Sequence, residues 1–223
     1  MSSNLNKPLI GIIVGLEREK KLIDSKKNLI IESGYGTKAI EAAKKILKKK
    51  VDVIVSIGFA GSISKNVKNS EIIIPKIIFN KNKKGLKTSK KFNLYFKEIL
   101  RNFKCFDDNL ITSSHIENLN SFKRKKLTKV KNIVAVDMES YFVQVLAKKN
   151  NIDFCSIRVI FDDLDNSIPQ FLLNIIDENG EIILKNLLIS LFQKPKRIMS
   201  LIRLLQIYLK SRKKLKAIGL KLG

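Results

Sequence analysis

Val51-Asp52-Val53-Ile54-Val55-Ser56-Ile57, followed by Gly58-Phe59-Ala60-Gly61, is the stretch that decides the fold. It is apolar, β-branched and nearly continuous, without the in–out alternation of a half-exposed strand. Such a run suits a strand covered on both faces, the habit of α/β sheets. Residues 9–14 (Leu-Ile-Gly-Ile-Ile-Val) and 154–160 have the same character. Further strands are expected at 28–32, 72–79, 110–112 and 132–136. Between them, 38–49, 92–103 and 138–149 read as helices; the last carries Met138, Phe142, Val145 and Leu146 at helical spacing. Buried strands alternating with amphipathic helices predict an α/β domain with helices on both faces of its sheet.

The chain has 223 residues, which suits one domain. At 44% hydrophobic and 29% charged it has the material for a core, which excludes wholesale disorder, a collagen-like fibre and a disulfide scaffold. The 44 Lys and Arg against 20 Asp and Glu leave a formal charge of +24. That field attracts nucleic acid or an anionic membrane. Only seven of the cations are Arg, however, and Lys, Ile and Asn are abundant together, the pattern of an AT-biased genome. Phosphate recognition recruits the planar Arg fork, and neither a basic helix-turn-helix nor a basic run interleaved with aromatics appears. No specific nucleic-acid partner is therefore expected. Cys105, Cys155 and the single His115 form no metal-ligand spacing, so neither metal nor cofactor is expected. The apolar run 9–16 leads straight into Glu17-Arg18-Glu19-Lys20-Lys21 with no small-residue cleavage site, unlike a signal peptide. No run approaches the roughly 20 residues of a spanning helix, and a cytoplasmic protein is expected.

Pro195 divides the chain into an expected domain over 8–193 and a basic helical extension over 195–223. Residues 196–223 hold nine cations and no acid. Ile198, Leu201, Ile202, Leu205, Tyr208 and Leu209 fall on one helical face, with Arg203, Lys210, Lys213 and Lys214 opposite. Two roles stand open for such a helix over 196–218. One is peripheral docking on an anionic membrane, such as the inner membrane surface; the other is packing on the domain or at a subunit interface.

Carboxylates follow the ends of the buried strands: Glu17 and Glu19, then Asp137 and Glu139, then Asp162, Asp163 and Asp165. Strand carboxyl ends are where ligands collect in open α/β sheets. Gly34-Tyr35-Gly36 and Gly58-Phe59-Ala60-Gly61 read as turns whose backbone N–H groups can approach a ligand. Each carboxylate taken alone reads equally well as a helix cap.

In this order, Ile10-Gly11-Ile12-Ile13, Glu17-Arg18-Glu19, Ser33-Gly34-Tyr35-Gly36, Gly58-Phe59-Ala60-Gly61, Val136-Asp137-Met138-Glu139 and Arg158-Val159-Ile160-Phe161-Asp162 resemble the purine nucleoside phosphorylase and nucleosidase superfamily. The resemblance covers residues 8–165. It implies a three-layer phosphorylase-like fold, with a mixed central sheet flanked by helices, and cleavage of a purine–ribose N-glycosidic bond. It also implies roles: Asp162 as the acid that protonates the leaving base, and Glu19 as the carboxylate that activates water. Glu139 would grip the ribose hydroxyls and Met138 pack beneath the sugar, with Gly58, Phe59 and Phe161 lining the substrate. Phosphate is the alternative nucleophile, with Arg18 a ligand by position only. A homo-oligomer is the family's default.

Some positions depart from the pattern. Phe161 stands where the hydrolytic branch has Ser, Phe59 where it has a small hydroxyl residue, Ser70-Glu71 where it has Gly-Asp, and His115 where an acid is expected. A narrower resemblance is to the hopanoid-associated phosphorylases. It is carried by Ser140 after Glu139, by Ile168-Pro169 after Asp165, by Ile176-Asp177-Glu178-Asn179-Gly180 and by Leu201-Ile202-Arg203-Leu204 with Ser211-Arg212. That branch implies release of adenine from lipid-linked adenosylhopane. The alternative within the superfamily is a methylthioadenosine/S-adenosylhomocysteine nucleosidase. A basic nucleic-acid-binding protein, or a non-catalytic nucleoside binder, is the alternative of another class.

Overall fold

The computed structural model describes residues 7–23, 29–34, 36–113, 132–175 and 183–223. Four strands run parallel at its centre: β1 (Ile10–Val14), β2 (Leu29–Ser33), β3 (Val53–Ser62) and β10 (Asp153–Ile160). Their order is β2-β1-β3-β10. Beyond β10 lie β4 (Ile72–Ile73), antiparallel to it, and β7 (Cys105–Phe106). The far end of β3 pairs antiparallel with β9 (Ile133–Asp137). From β9 the sheet continues through β8 (Asn109–Thr112) and β5 (Ile77–Phe79) to β6 (Gly85–Lys87). The described residues thus form one mixed ten-stranded sheet.

Strand alternation sends neighbouring side chains to opposite faces, and each face finds its own helices. On one face Ile10, Ile12, Val55 and Ile57 pack with Phe92 and Phe96 of α3 (Lys90–Ile99) and with Leu215, Ile218 and Leu222 of the C-terminal helix. On the other, Ile13 and Ile54 meet Ala42, Ala43 and Ile46 of α2 (Ala39–Leu47) and Val143 and Ala147 of α4 (Ser140–Lys149). Each fully buried Ile contributes about 1.5–3 kcal/mol, so a sheet walled by Ile and Val holds both layers. Two short helices are α1 (Glu17–Lys20) and α5 (Gln170–Leu173), and α6 (Leu184–Gln193) precedes the C-terminal helix.

The C-terminal helix, α7, spans Arg197–Leu222. Its last turns belong to the core. Gly219 lies so close to the segment after α1 that a Cβ there would sit 2.9 Å from Ile23 Cα. Ser211 Oγ donates to Ile160 O at 2.9 Å, pinning α7 to the end of β10. The apolar residues predicted to share one face divide in two. Leu201 and Tyr208 turn toward the domain and are half-buried, whereas Ile198, Ile202, Leu205 and Leu209 stay exposed. The reason is that the docked turns fix the rotation of the whole helix.

Three expectations shift. The predicted turn Gly58–Gly61 is strand, because β10 keeps pairing past Ile57 (Arg158↔Gly58, Ile160↔Ala60) and β9 takes over at Gly61. The single strand expected at 72–79 is two, since Pro75 between β4 and β5 has no N–H for a ladder. The helix expected from 138 begins at Ser140, leaving Met138 and Glu139 in the turn that follows β9. His115, Tyr35 and the 176–180 motif lie outside the described residues.

Candidate active site

The carboxylates following the strands sort by burial. Glu17 is exposed and accepts from Ser33 Oγ at 2.8 Å. Asp165 is exposed and pairs with Lys68 at 2.6 Å. Asp163 organises its own loop, accepting from the backbone N–H groups of Asn69, Asp165 and Asn166 at 2.9, 3.0 and 2.9 Å. Burial pushes its pKa up, but those hydrogen bonds win and hold it below the ordinary value. Glu19, Asp137, Glu139 and Asp162 are buried with no such purely structural account.

Three of these surround one guanidinium. Arg158, 1% exposed, points from β10 over Gly58 of β3. Its Nε donates to Asp137 Oδ2 at 2.8 Å, and its Nη2 donates to Ser56 Oγ at 2.6 Å and Ser140 Oγ at 2.9 Å. Nη2 also lies 3.5 Å from Glu139 Oε2. Asp137 is braced from behind by Thr112 Oγ1 at 2.6 Å. Only glycine fits beneath this arrangement: a Cβ at position 58 would lie 2.6 Å from Arg158 Nη1 and 3.4 Å from Glu19 Oε2. A Cβ at position 15 would lie 3.2 Å from Glu19 Oε2 and 3.6 Å from Glu139 Oε1. Glu19 and Glu139 therefore border the same small space above Gly15 and Gly58.

Backbone donors hold both carboxylates. Glu19 Oε2 accepts from Leu16 N–H at 3.0 Å, one turn back in the β1–α1 connection. Glu139 Oε1 accepts from Gly36 N–H at 3.3 Å, and Gly36 sits at φ +58°, a region that glycine enters without strain. Burial raises the pKa of Glu19, against the pull of the Leu16 N–H and Arg158. Burial likewise pushes Glu139 up to about 7; Arg158 pulls it down, and Asp137 and Glu19 push it up. One cation among three buried carboxylates leaves the cluster ready to hold a proton near neutrality.

Asp162 follows β10. Its carbonyl accepts from Ser62 N–H at 2.8 Å, which places it beyond Gly58 along β3. Four strand residues separate the two levels, roughly 13 Å at ~3.3 Å per residue. Burial pushes the Asp162 carboxyl up to about 7; its own and the Ile168 N–H groups oppose this, and Asp163 assists. A proton-bearing acid and a carboxylate cluster thus lie at successive levels along β3. Chemically, this arrangement can protonate a leaving group at one end and hold hydroxyls or water at the other.

Of the predicted site residues, Glu19, Glu139 and Gly58 come together, with Asp162 further along and Met138 half-buried in the turn between Asp137 and Glu139. Phe59 and Phe161 meet each other at 6.0 Å between ring centroids. Both also meet Tyr208 of α7, at 6.1 and 6.2 Å. Alternation puts Phe59 on the α7 face of the sheet, opposite Arg158. Arg18 is exposed, so the guanidinium facing the cluster is that of Arg158 instead. Sequence alone assigns Arg158, Thr112 and Tyr208 no role at the site, although Arg158 opens the Arg158–Asp162 block. A lone Arg inside an otherwise apolar strand was the signal for the first; the other two carry none. Among the described residues no group of His, Cys, Asp and Glu is arranged to hold a metal ion.

The fold is that of the nucleoside phosphorylase and nucleosidase superfamily. No protein-family model matches the chain. The 5'-methylthioadenosine/S-adenosylhomocysteine nucleosidase of Buchnera aphidicola subsp. Baizongia pistaciae is 27% identical over 236 aligned positions, covering 85% of this chain and 93% of that protein. Among solved structures, a mutant of the Helicobacter pylori methylthioadenosine nucleosidase with 5'-methylthioadenosine in its active site is similar at TM-score 0.64 and 16% identity. The match covers 95% of this chain and 97% of that one. A Helicobacter pylori futalosine hydrolase mutant is similar at TM-score 0.58 and 16% identity, over 68% of this chain and 88% of its own. These structures share the fold.

Proposed function

We propose that this protein hydrolyses the N-glycosidic bond of 5'-thioether adenine nucleosides, 5'-methylthioadenosine and S-adenosylhomocysteine, releasing adenine. The observation that carries the reading is the pairing of buried Asp162, held near 7, with the Glu19–Glu139–Arg158 cluster over Gly58. The curated relative at 27% identity supports the choice of substrate. The C1'–N9 bond breaks with its electron pair passing to the base, and the Asp162 proton goes to the purine ring nitrogen N7. Water adds to C1' and gives its proton to Glu19, while Glu139 accepts hydrogen bonds from the ribose hydroxyls. The oxocarbenium-like transition state is positive at the sugar, where the carboxylates outnumber Arg158. Water serves as nucleophile, and no cofactor enters the reaction.

A second reading keeps the bond and changes the ribose substituent to a polycyclic lipid, as in adenosylhopane. The narrower resemblance over Ser140, Ile168-Pro169 and Leu201-Ile202-Arg203-Leu204 is what supports it. Phe59 and Phe161, expected to line the substrate, pack instead with Tyr208 on the face of the sheet opposite Arg158. One assay separates the two: adenine release from methylthioadenosine, S-adenosylhomocysteine and a lipid-linked adenosine, each with and without phosphate. Phosphate-independent release from the thioether nucleosides is expected. Release from the lipid substrate alone favours the second reading, and an absolute need for phosphate refutes hydrolysis.

A further inference from the structure

Of the twelve large apolar side chains exposed among the described residues, all but Leu94 lie within 183–222. On α7, Ile198, Ile202, Leu205 and Leu209 recur at steps of four, three and four, forming one stripe that is about half exposed throughout. Carried further along the same side of the helix, the stripe becomes Arg212 and Lys216, with Lys213, one turn after Leu209, beside them rather than on the opposite face expected for it, all exposed. One face of one helix is thus apolar for three turns and cationic for the next two. α6, joined to α7 through residues 194–196 and tied to it by Arg197 donating to Ser190 O at 3.0 Å, adds a second stripe. Leu184, Leu188 and Phe192 there are 71%, 57% and 86% exposed.

The geometry points to this face as a docking surface for an anionic lipid bilayer. Its charge selects the occupant. Residues 183–223 contain eleven cations and no acid. A second copy seated on the face in a two-fold contact would bring together two segments of eleven cations and no acid each, because such a contact uses the same patch twice. An anionic headgroup layer neutralises the cations while the Leu and Ile stripe enters the acyl boundary. No helix among the described residues is long and apolar enough to cross a membrane, so attachment is peripheral. The anchoring is built in: Leu215, Ile218 and Leu222 are fully buried, which holds the exposed half of α7 at a fixed rotation. The inference does not depend on the reaction proposed above.

The test is co-sedimentation of the full chain with vesicles of phosphatidylcholine containing one quarter phosphatidylglycerol, against pure phosphatidylcholine, at about 0.15 M salt. Wild type should pellet with the anionic vesicles and stay in solution with the neutral ones. Each cation near the surface is worth on the order of fivefold, so Arg212→Gln/Lys213→Gln/Lys216→Gln should weaken partitioning by about 10- to 100-fold. Ile202→Gln/Leu205→Gln/Leu209→Gln, which leaves the buried anchors Leu215, Ile218 and Leu222 in place, should weaken it at least tenfold. Leu209→Gln alone serves if the triple variant loses helix content. Failure of wild type to bind anionic vesicles overturns the proposal. So does wild-type binding by the apolar variant, the mark of generic charge attraction. A wild-type dimer that the apolar variant converts to monomer assigns the face to a second copy and also overturns it.

Discussion

Replacing Asp162 by Asn should cripple the enzyme and stabilise the protein, in a pH-dependent way that the structure sets. The carboxyl has an ordinary pKa near 3.8 and is pushed up to about 7 in the folded protein, chiefly by burial. Between those two values the folded state binds more protons at this group than the unfolded state. Stability therefore falls as pH rises from about 4 to about 7, then stays flat. Just over three units at about 1.4 kcal/mol each gives about 4 kcal/mol that the native protein forgoes at pH 8 by carrying this acid. Asn is neutral and of the same shape, so it escapes that cost. Its amide needs an acceptor that the carboxyl did not, at about 1–2 kcal/mol. The net gain at pH 8 is about 2 kcal/mol, or about 4–8 °C in Tm for a chain of this size. At pH 4 the gain is gone and only the amide's cost is left, so the variant should be less stable than wild type by about 1–2 kcal/mol. Thermal unfolding followed by circular dichroism at half-unit steps from pH 4 to 8 measures it. Adenine release by the same preparation should drop on the order of 10²–10⁴-fold, the loss of general acid help. A pH-independent Tm difference, or a variant less stable than wild type at pH 8, refutes the buried-acid assignment. Turnover within a few-fold of wild type refutes its catalytic role.

Glu139→Gln should reduce kcat/KM on the full riboside far more than on a 2',3'-dideoxy substrate, since a carboxylate accepts charge-assisted bonds from both hydroxyls; equal losses on both would remove the ribose role. Arg158→Met strands Asp137 and Glu139 without their cation and should cost about 3–5 kcal/mol, read by urea unfolding. Adding Asp137→Asn should return part of it, and no recovery would show that the network is not paired as described. Ile218→Ala, at a fully buried position in α7, should cost about 2–5 kcal/mol. A loss below about 0.5 kcal/mol, the range of surface substitutions, would mean that α7 does not share the core.

Much of the architecture was legible because it rests on local periodicity. The β-branched runs at 9–14, 51–57 and 154–160 admit one reading, and they form β1, β3 and β10 at the centre of the sheet. The acids that matter were legible for a related reason: Glu19, Glu139 and Asp162 all follow strands, and a shared sheet carries its strand ends to one region. What the chain's order leaves open is which partner each group finds. Gly58-Phe59-Ala60-Gly61 has the composition of a turn, yet it is strand because β10 and β9 supply hydrogen bonds on its two sides. Among Glu17, Glu19, Asp163 and Asp165, only packing separates a surface tie from a buried acid with a raised pKa. The same holds for α7. Its amphipathic pattern fixes that it is a helix, but contact with Ile23, Ile160 and the sheet fixes which apolar stripe is buried and which faces outward. Arg158 is the plainest instance: a single charge in an apolar strand, whose meaning depends on Ser56, Asp137, Glu139 and Ser140 arriving from three other segments. Periodicity is a property of neighbours in sequence; desolvation and charge pairing belong to neighbours in space, and only the folded chain supplies those.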